Sequence, residues 1–152
     1  MIKLNLPTYD FRLKADQDKT YIWDPIRRKY LVLTPEEWVR QNFIEYLHKE
    51  LGYSKGLMKQ ELALAFNKMD KRSDIVCFNR EGEPILLVEC KRPTVKITER
   101  VFEQIARYNM TLKVPFIAVT NGLTHIYCKV NHKEKGYTFI PELPRFENFI
   151  SA

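Results

Sequence analysis

The sequence predicts a mixed α/β domain in which a central sheet has helices on both faces. Two segments with apolar residues at helical spacing are separated by strand-like segments, and further strands follow the second of them. The length of 152 residues, with 45% hydrophobic and 29% charged, is typical of one globular domain. We therefore expect a single domain over 1–152, with a core at about 30–130, an irregular N-terminal arm at 1–30 and a wrapping tail at 131–152.

The first helix is predicted at about 35–51. Thr34 is a typical N-cap, Pro35 suits the first helical position, and Glu37 stands where a capping box places glutamate. Gly52 suits the end of the helix. The apolar residues at helical spacing between these signals are Val39, Phe43, Tyr46, Leu47 and Leu51.

Three strands in an antiparallel meander are predicted after this helix. The apolar period changes to two, which predicts strands at about 59–65, 74–78 and 84–91. Asn79 to Glu83 is a turn cluster that contains a glycine, so the second and third strands should pair as a hairpin.

A second helix and two further strands complete the predicted core. One apolar stripe predicts a helix over 98–113, and a continuous apolar strand follows at 114–119. Asn121 and Gly122 turn the chain into a last strand at 124–130. Because a helix joins the third and fourth strands, these two should be parallel with a right-handed crossover.

Composition excludes several classes of protein. None of the three cysteines forms a CxxC pair, so we expect no disulfide framework or zinc knuckle, and Cys77 and Cys90 are interpreted as small hydrophobic residues of core strands. No apolar run approaches the roughly 20 residues that span a bilayer, and the N-terminus lacks the apolar core of a signal peptide. We therefore expect a cytoplasmic protein without a membrane partner. The net charge of +6 permits a polyanionic partner without requiring one.

Acidic residues in two predicted strands indicate a metal site. Asp74 opens the second strand, while Glu89 and Lys91 share one face of the third because side chains two residues apart point the same way. The hairpin would bring Asp74 beside them. Both carboxylates and the backbone carbonyl of Cys90 would offer oxygen ligands to Mg²⁺, and Lys91 could orient a water or stabilise charge on a phosphate. The alternative is a salt bridge of Lys91 with Glu89 or Asp74.

These residues resemble the D…ExK core of the PD-(D/E)xK nuclease superfamily, and within it the N-terminal nuclease domain of type I restriction enzyme R subunits. Ser73 stands where the superfamily's name has proline, at a position that varies widely in the superfamily. The matching segments in chain order are the first-helix signature at 34–41, the basic approach to the metal aspartate at 71–76, the metal strand at 88–93, the Q-x-x-x-Y motif of the second helix at Gln104 and Tyr108, and the fourth strand at 114–122.

The resemblance implies a restriction-endonuclease-like α/β/α core and hydrolysis of DNA phosphodiester bonds with Mg²⁺, for which Mn²⁺ substitutes. Asp74 and Glu89 would hold the metal, and Lys91 would be the catalytic lysine. The chain would act on DNA, and other restriction-modification subunits could be its partners.

A glutamate of the first helix reaches the metal through water in families of this kind. Glu36 and Glu37 both qualify, and Glu37 is slightly favoured. The alternative for Glu37 is a capping box with Thr34, which would stabilise the start of the helix by about 1 kcal/mol. Arg40, one turn further on, could pair with Glu37 or touch a phosphate.

Further residues beside the motif are candidates for contact with DNA. Gln104 and Tyr108 lie four residues apart on one helical face and would contact DNA or support the lysine. The alternative is that Tyr108 belongs to the core and Gln104 is solvated. Arg72 and Arg92 adjoin the motif and could contact phosphates.

The R subunits of this family also carry a motor that translocates DNA. No G-x-x-x-x-G-K-[ST] loop occurs in this sequence, so we expect no ATPase activity, and the chain would be a stand-alone relative or the nuclease domain by itself. Two other functions stay open. One is a catalytically inactive nucleic-acid-binding module on the same scaffold that acts with partner proteins, and the other is a purely structural role.

Overall fold

The computed structural model of the chain describes residues 1–63, 72–109 and 113–150, and the side chains of 61–63, 72–74, 108–109 and 150 lie outside this description. The α-helices in the described ranges are α1 (Pro35–Lys49), α2 (Glu99–Asn109) and α3 (Glu147–Ile150), and a short 3-10 helix spans Lys55–Leu57. The strands are β1 (Leu13–Asp16), β2 (Lys19–Asp24), β3 (Lys29–Val32), β4 (Met58–Ala63), β5 (Arg72–Phe78), β6 (Pro84–Cys90), β7 (Phe116–Thr120), β8 (His125–Asn131) and β9 (Gly136–Ile140). Residues 64–65 of the first predicted core strand and 110–112 of the second predicted helix lie outside the described residues.

The large sheet is mixed and runs in sequence order from β4 to β9. β6 and β7 are parallel, and every other neighbouring pair is antiparallel. α2 lies between β6 and β7 in the chain, which is the connection that a parallel pair needs. The predicted meander, the parallel pair and the mixed α/β class are therefore confirmed.

α1 begins with the predicted cap. The Thr34 hydroxyl oxygen accepts a hydrogen bond from the Glu37 backbone N–H at 3.0 Å, and Pro35 occupies the first helical position. The helix ends at Lys49, two residues before the predicted end. Gly52 follows with a φ of 81°, where its missing side chain lets the chain leave the helix without strain.

Alternating residues of the central strands enter two apolar clusters, one on each face of the sheet. Because these side chains are almost fully buried, each valine, leucine, isoleucine or phenylalanine among them contributes about 1.5–3 kcal/mol to the hydrophobic stabilisation. The cluster on the α1 side includes Val39, Phe43, Ile75, Val88 and Ala118. The cluster on the α2 side includes Val76, Leu87, Phe102, Ile105 and Ile117. The sheet thus carries a helix on each face, as predicted.

The expectation that residues 1–30 are irregular is wrong. β1, β2 and β3 form a three-stranded antiparallel sheet of their own. Its strands are only four to six residues long and mix apolar with charged residues, so no long apolar run marks this sheet in the sequence. Ile22 and Asp24, both 0% exposed, are the positions of β2 that turn inward.

The expectation of a wrapping tail at 131–152 is partly wrong. Residues 136–140 of that range pair with β8 as β9, and residues 147–150 form α3. Phe146 still wraps as predicted, since its side chain is buried in the α1 cluster and its N–H donates to the Leu51 carbonyl at 2.8 Å. Among the described residues, no helix has the length and apolar content that crossing a bilayer requires.

Candidate metal and nucleic-acid site

Strand β6 carries Glu89 and Lys91 to its carboxyl end as a pair. The Lys91 Nζ lies 3.5 Å from the Glu89 Oε1, and their side chains are 31% and 16% exposed. The Lys91 N–H donates to the Thr120 carbonyl at 2.8 Å, which extends the β6–β7 pairing by one residue. The ion pair that the salt-bridge alternative expected is therefore present. It is partly open to solvent and so accessible to a ligand.

Glu89 belongs to the α2 side of the sheet. Its neighbours Val88 and Cys90 are buried in the α1 cluster, whereas Leu87 is buried in the α2 cluster. Because successive side chains of a strand point to opposite faces, Glu89 shares the face of Leu87 and therefore of α2. This agrees with the prediction that the second helix lies beside the site.

The backbone places Asp74 next to Glu89 in register. Ile75 of β5 pairs with Val88 of β6, and the strands are antiparallel, so the next residues along each strand are Asp74 and Glu89. The side chain of Asp74 lies outside the described residues. Within the described part of the chain, no group of three His, Cys, Asp or Glu residues is placed to hold a metal ion. A pair of metal-binding carboxylates thus stays a prediction, consistent with the register.

The remaining predicted contacts lie around this strand end. Gln104 is exposed on α2, and Arg92 is exposed directly after Lys91, with its Nε donating to the Thr94 hydroxyl at 3.0 Å. The backbones of Arg72 and Tyr108 lie in β5 and α2, and their side chains are outside the described residues. Exposure leaves Gln104 and Arg92 available to a ligand, and it agrees with the solvated alternative for Gln104.

Asn121 forms a hydrogen bond to the segment between Lys91 and α2, a contact that was not predicted from the sequence. Its Nδ2 donates to the Val95 carbonyl at 2.8 Å, and its Oδ1 accepts from the N–H groups of Leu123 and Thr124. The sequence marked Asn121 only as a turn residue. The structure shows that the same turn holds the segment between Lys91 and α2.

Glu37 lies in a buried network. It is 6% exposed, its Oε1 forms an ion pair with Arg40, and its Oε2 accepts from the Gln41 Nε2 at 2.9 Å. Burial raises the pKa of Glu37 above its ordinary value, against the opposing effects of the Arg40 charge and the Gln41 hydrogen bond. The first hydrogen bond of the capping box is present, because the Thr34 hydroxyl accepts from the Glu37 N–H. The Thr34 N–H donates to the Val32 carbonyl and not to the Glu37 carboxylate.

Arg40 adopts the pairing that was one of its two predicted roles. Its side chain is 4% exposed and also lies 3.3 Å from the Glu36 carboxylate. Contact of Arg40 with a phosphate stays a prediction, and this burial counts against it.

Three residues of the network were missed from the sequence. Asp24 accepts from the Ile26 and Arg27 N–H groups and from Gln60, and the Arg27 Nη2 donates to the Gln60 Oε1 at 3.2 Å. The charges of Asp24 and Arg27 also act on the pKa of Glu37. The structure thus groups Glu37 with the N-terminal sheet and β4, whereas Glu89 and Lys91 lie on the α2 side. An aspartate before proline favours a side-chain-capped turn, which was the available signal for Asp24.

Comparisons with known proteins agree with this architecture. The model of the family described as type I restriction enzyme R protein N terminus matches residues 35–144. A solved fragment described as an HsdR subunit of a type I restriction enzyme from Vibrio vulnificus YJ016 is similar, with a TM-score of 0.53 and 18% sequence identity. The alignment covers 78% of this chain and 25% of that one, so this chain spans about a quarter of its length. No curated protein matches the chain.

The structural similarity, at this low identity, supports the fold alone. The family model covers well over half of the chain and includes α1, the β5–β6 hairpin, α2 and β7. The chain therefore belongs to the family of type I restriction enzyme R protein N-terminal domains.

Proposed function

We propose that this chain is a metal-dependent nuclease domain that hydrolyses DNA phosphodiester bonds. The observation that carries the proposal is the Glu89–Lys91 pair at the end of β6, with Asp74 as the register neighbour on β5. The register puts the backbone positions of the two acids side by side near the end of β6, and membership of the family supports a role in restriction. We further propose that other restriction-modification subunits deliver the DNA.

The donor set suits a hard divalent cation. The carboxylates of Glu89 and Asp74 and the backbone carbonyl of Cys90 would hold Mg²⁺, with Mn²⁺ as a substitute, because Mg²⁺ prefers a small number of oxygen ligands and keeps several waters. The partial exposure of Glu89 leaves room for those waters. When bound, Mg²⁺ supplies Lewis acidity towards a phosphate oxygen and lowers the pKa of a water.

Lys91 contributes a positive charge beside Glu89. Its backbone N–H donates to the Thr120 carbonyl, and its ammonium lies 3.5 Å from the Glu89 carboxylate. A phosphate at this site gains negative charge on its oxygens as the bond to the attacking oxygen forms, and a positioned ammonium stabilises that charge. Arg92 and Gln104 are exposed and would hold the DNA backbone beside it.

A plasmid-nicking assay with Mg²⁺ or Mn²⁺ tests the proposal. Wild type should nick, and Asp74→Ala and Lys91→Ala should each lower the rate by about a hundredfold or more. Glu81→Ala, which removes an exposed acid of the same hairpin, is the matched control and should nick like wild type.

Equal activity in all four proteins would mean that the assigned site is wrong. No cleavage by wild type, together with DNA binding that persists in Asp74→Ala, would favour the alternative of an inactive binding module. Titration calorimetry with Mn²⁺ separates these from a structural role, since a structural domain would release no heat of metal binding.

A further inference from the structure

The N-terminal sheet has one face that is rich in aromatic and basic side chains. Lys14 pairs with Tyr21 and Trp23 pairs with Tyr30, so these four residues share a face. The opposite face of β2 is buried through Ile22 and Asp24. We call the first surface the outer face of the N-terminal sheet, and its members are Arg12, Lys14, Lys19, Tyr21, Trp23 and Tyr30.

The cations of the outer face lie over its rings. The Arg12 guanidinium carbon is 4.5 Å from the centre of the Trp23 ring, and the Lys14 Nζ is 4.3 Å from the centre of the Tyr30 ring. Trp23 and Tyr30 meet edge to face at 5.2 Å. Arg12 and Lys14 are exposed, and the rings of Trp23 and Tyr30 are half-buried, so the solvent reaches both the positive charges and part of each ring.

The charge of this face suits a polyanion. Arg12, Lys14 and Lys19 are exposed cations. The exposed acids beside them are Asp16, which lies opposite Lys19, and Asp18 in the turn between β1 and β2. Proteins that bind single strands combine cations that follow the backbone with aromatic rings on which bases stack. A guanidinium plane over an indole, such as Arg12 over Trp23, is also a surface on which a base can stack.

We propose that the outer face of the N-terminal sheet binds single-stranded nucleic acid. Arg12, Lys14 and Lys19 contact phosphates, while bases stack on Trp23 and Tyr30 or on the Arg12 guanidinium above Trp23. A duplex would leave the rings unused, because its bases are stacked on one another. The surface goes beyond the proposed nuclease function, since it precedes the family-matched region at 35–144 and its binding needs neither metal nor cleavage.

Tryptophan fluorescence measures this binding directly. The chain has two tryptophans, and Trp38→Phe leaves Trp23 as the reporter within the proposed surface. Titration of that variant with a dT oligonucleotide in EDTA should quench the emission of Trp23. A duplex of equal length, or inorganic polyphosphate, should bind more weakly, because neither offers unstacked bases. Absence of quenching, or equal affinity for polyphosphate, would overturn the proposal.

Paired variants identify the residues. Arg12→Ala/Lys14→Ala should weaken binding and reduce the slope of log K against log salt by about 1.4, since two phosphate contacts are lost. Lys29→Ala/Lys133→Ala removes the same charge outside the outer face, and it should leave that slope unchanged apart from weak long-range effects. Equal slopes for both double variants would contradict the assignment.

Stacking is tested at Tyr30. Tyr30→Ala should weaken binding about tenfold, and Tyr30→Phe, which keeps the ring, should restore it. If Tyr30→Phe binds as weakly as Tyr30→Ala while both retain the wild-type circular dichroism, stacking at this position is excluded. These titrations contain EDTA and follow Trp23, so they do not depend on metal at the proposed nuclease site. A failure of the nuclease proposal and a failure of this one therefore give different results.

Discussion

Gln60 donates from its Nε2 to both carboxylate oxygens of Asp24, at 2.8 Å each. Asp24 is 0% exposed and ends β2, whereas Gln60 lies on β4 at the edge of the large sheet. The contact fastens the N-terminal sheet to the domain core. A buried carboxylate persists only when its oxygens are hydrogen-bonded, and here they are.

Removing this carboxylate should destabilise the fold. We predict that Asp24→Ala lowers the free energy of unfolding by about 3 kcal/mol, because hydrogen bonds to a buried charge are lost and Gln60 and Arg27 lose their partner. Urea denaturation measures the change. Asp10→Ala, at an exposed acid of the same N-terminal region, should stay within about 0.5 kcal/mol, and equal losses in the two variants would contradict the account.

The two glutamates at the start of α1 should differ in their effects on stability. Glu37→Ala leaves the Arg40 charge buried with one partner fewer and should cost about 3 kcal/mol. Glu36→Ala removes a side chain that is 47% exposed and should cost less than about 1 kcal/mol. Thermal and urea denaturation of the two variants check the order. A larger cost for Glu36→Ala would show that the buried network is wrongly assigned.

Gly122 is predicted to tolerate no side chain. It has a φ of 87°, and an added Cβ would come within 2.6 Å of the Leu4 Cδ2 and 3.1 Å of the Val39 Cγ2. Gly122→Ala should therefore cost about 2–4 kcal/mol through backbone strain and overpacking together. This loss of stability should also make the chain near Asn5 more sensitive to limited proteolysis, because the Asn5 N–H donates to the Gly122 carbonyl.

Gly82 provides the matched control for that substitution. Its φ is 83°, and no atom lies within 4 Å of an added Cβ, so Gly82→Ala carries the backbone cost alone, about 1 kcal/mol. The difference between the two variants isolates the steric contribution of Leu4 and Val39. Identical melting temperatures would show that Leu4 is not packed against the turn.

His125 should make stability depend on pH. Burial lowers the pKa of His125, against the opposing effect of its hydrogen bond to the Asn5 carbonyl. The folded state then binds fewer protons than the unfolded state, whose histidine pKa is about 6.5. The contribution of neutral His125 to the free energy of unfolding is complete above about pH 6.5, and it is lost as the pH falls below that value.

The His125→Gln variant checks this contribution, because glutamine does not titrate. The difference in unfolding free energy between wild type and His125→Gln should shrink from about pH 7.5 to about pH 5.5. Urea titrations at a series of pH values measure it. A difference that grows as the pH falls would mean that the charged histidine is the form stabilised in the fold.

The core of the fold could be predicted because local signals agreed with packing. Thr34 and Pro35 marked the start of α1, and the Gly82 turn marked the β5–β6 hairpin. The N-terminal sheet could not be predicted in the same way. It is stabilised in part by cations that lie over aromatic rings, such as Arg12 over Trp23. Such contacts leave no hydrophobic periodicity in the sequence.

The part of the candidate site that lies within one strand could be predicted from the sequence, and the part that depends on tertiary packing could not. Spacing alone placed Glu89 and Lys91 on one face, and the structure pairs them. The partners of Glu37, Arg40 and Gln41, lie on the same helix. The contact of Asp24 with Gln60 joins residues that are 36 apart in the chain and forms only when two sheets pack. The hydrogen bond from Asn121 to the Val95 carbonyl is likewise a tertiary contact, which no local sequence pattern predicts.

A crystal soaked in Mn²⁺ shows whether the end of β6 binds a metal ion. We expect an anomalous peak within about 2.1 Å of carboxylate oxygens of Asp74 and Glu89 and of the Cys90 carbonyl, the distance typical of such hard cations. Lys91→Ala should keep the peak, and Glu89→Ala should lose it. A soaked crystal without a peak at the end of β6, or with manganese bound elsewhere, would contradict the assignment of this site.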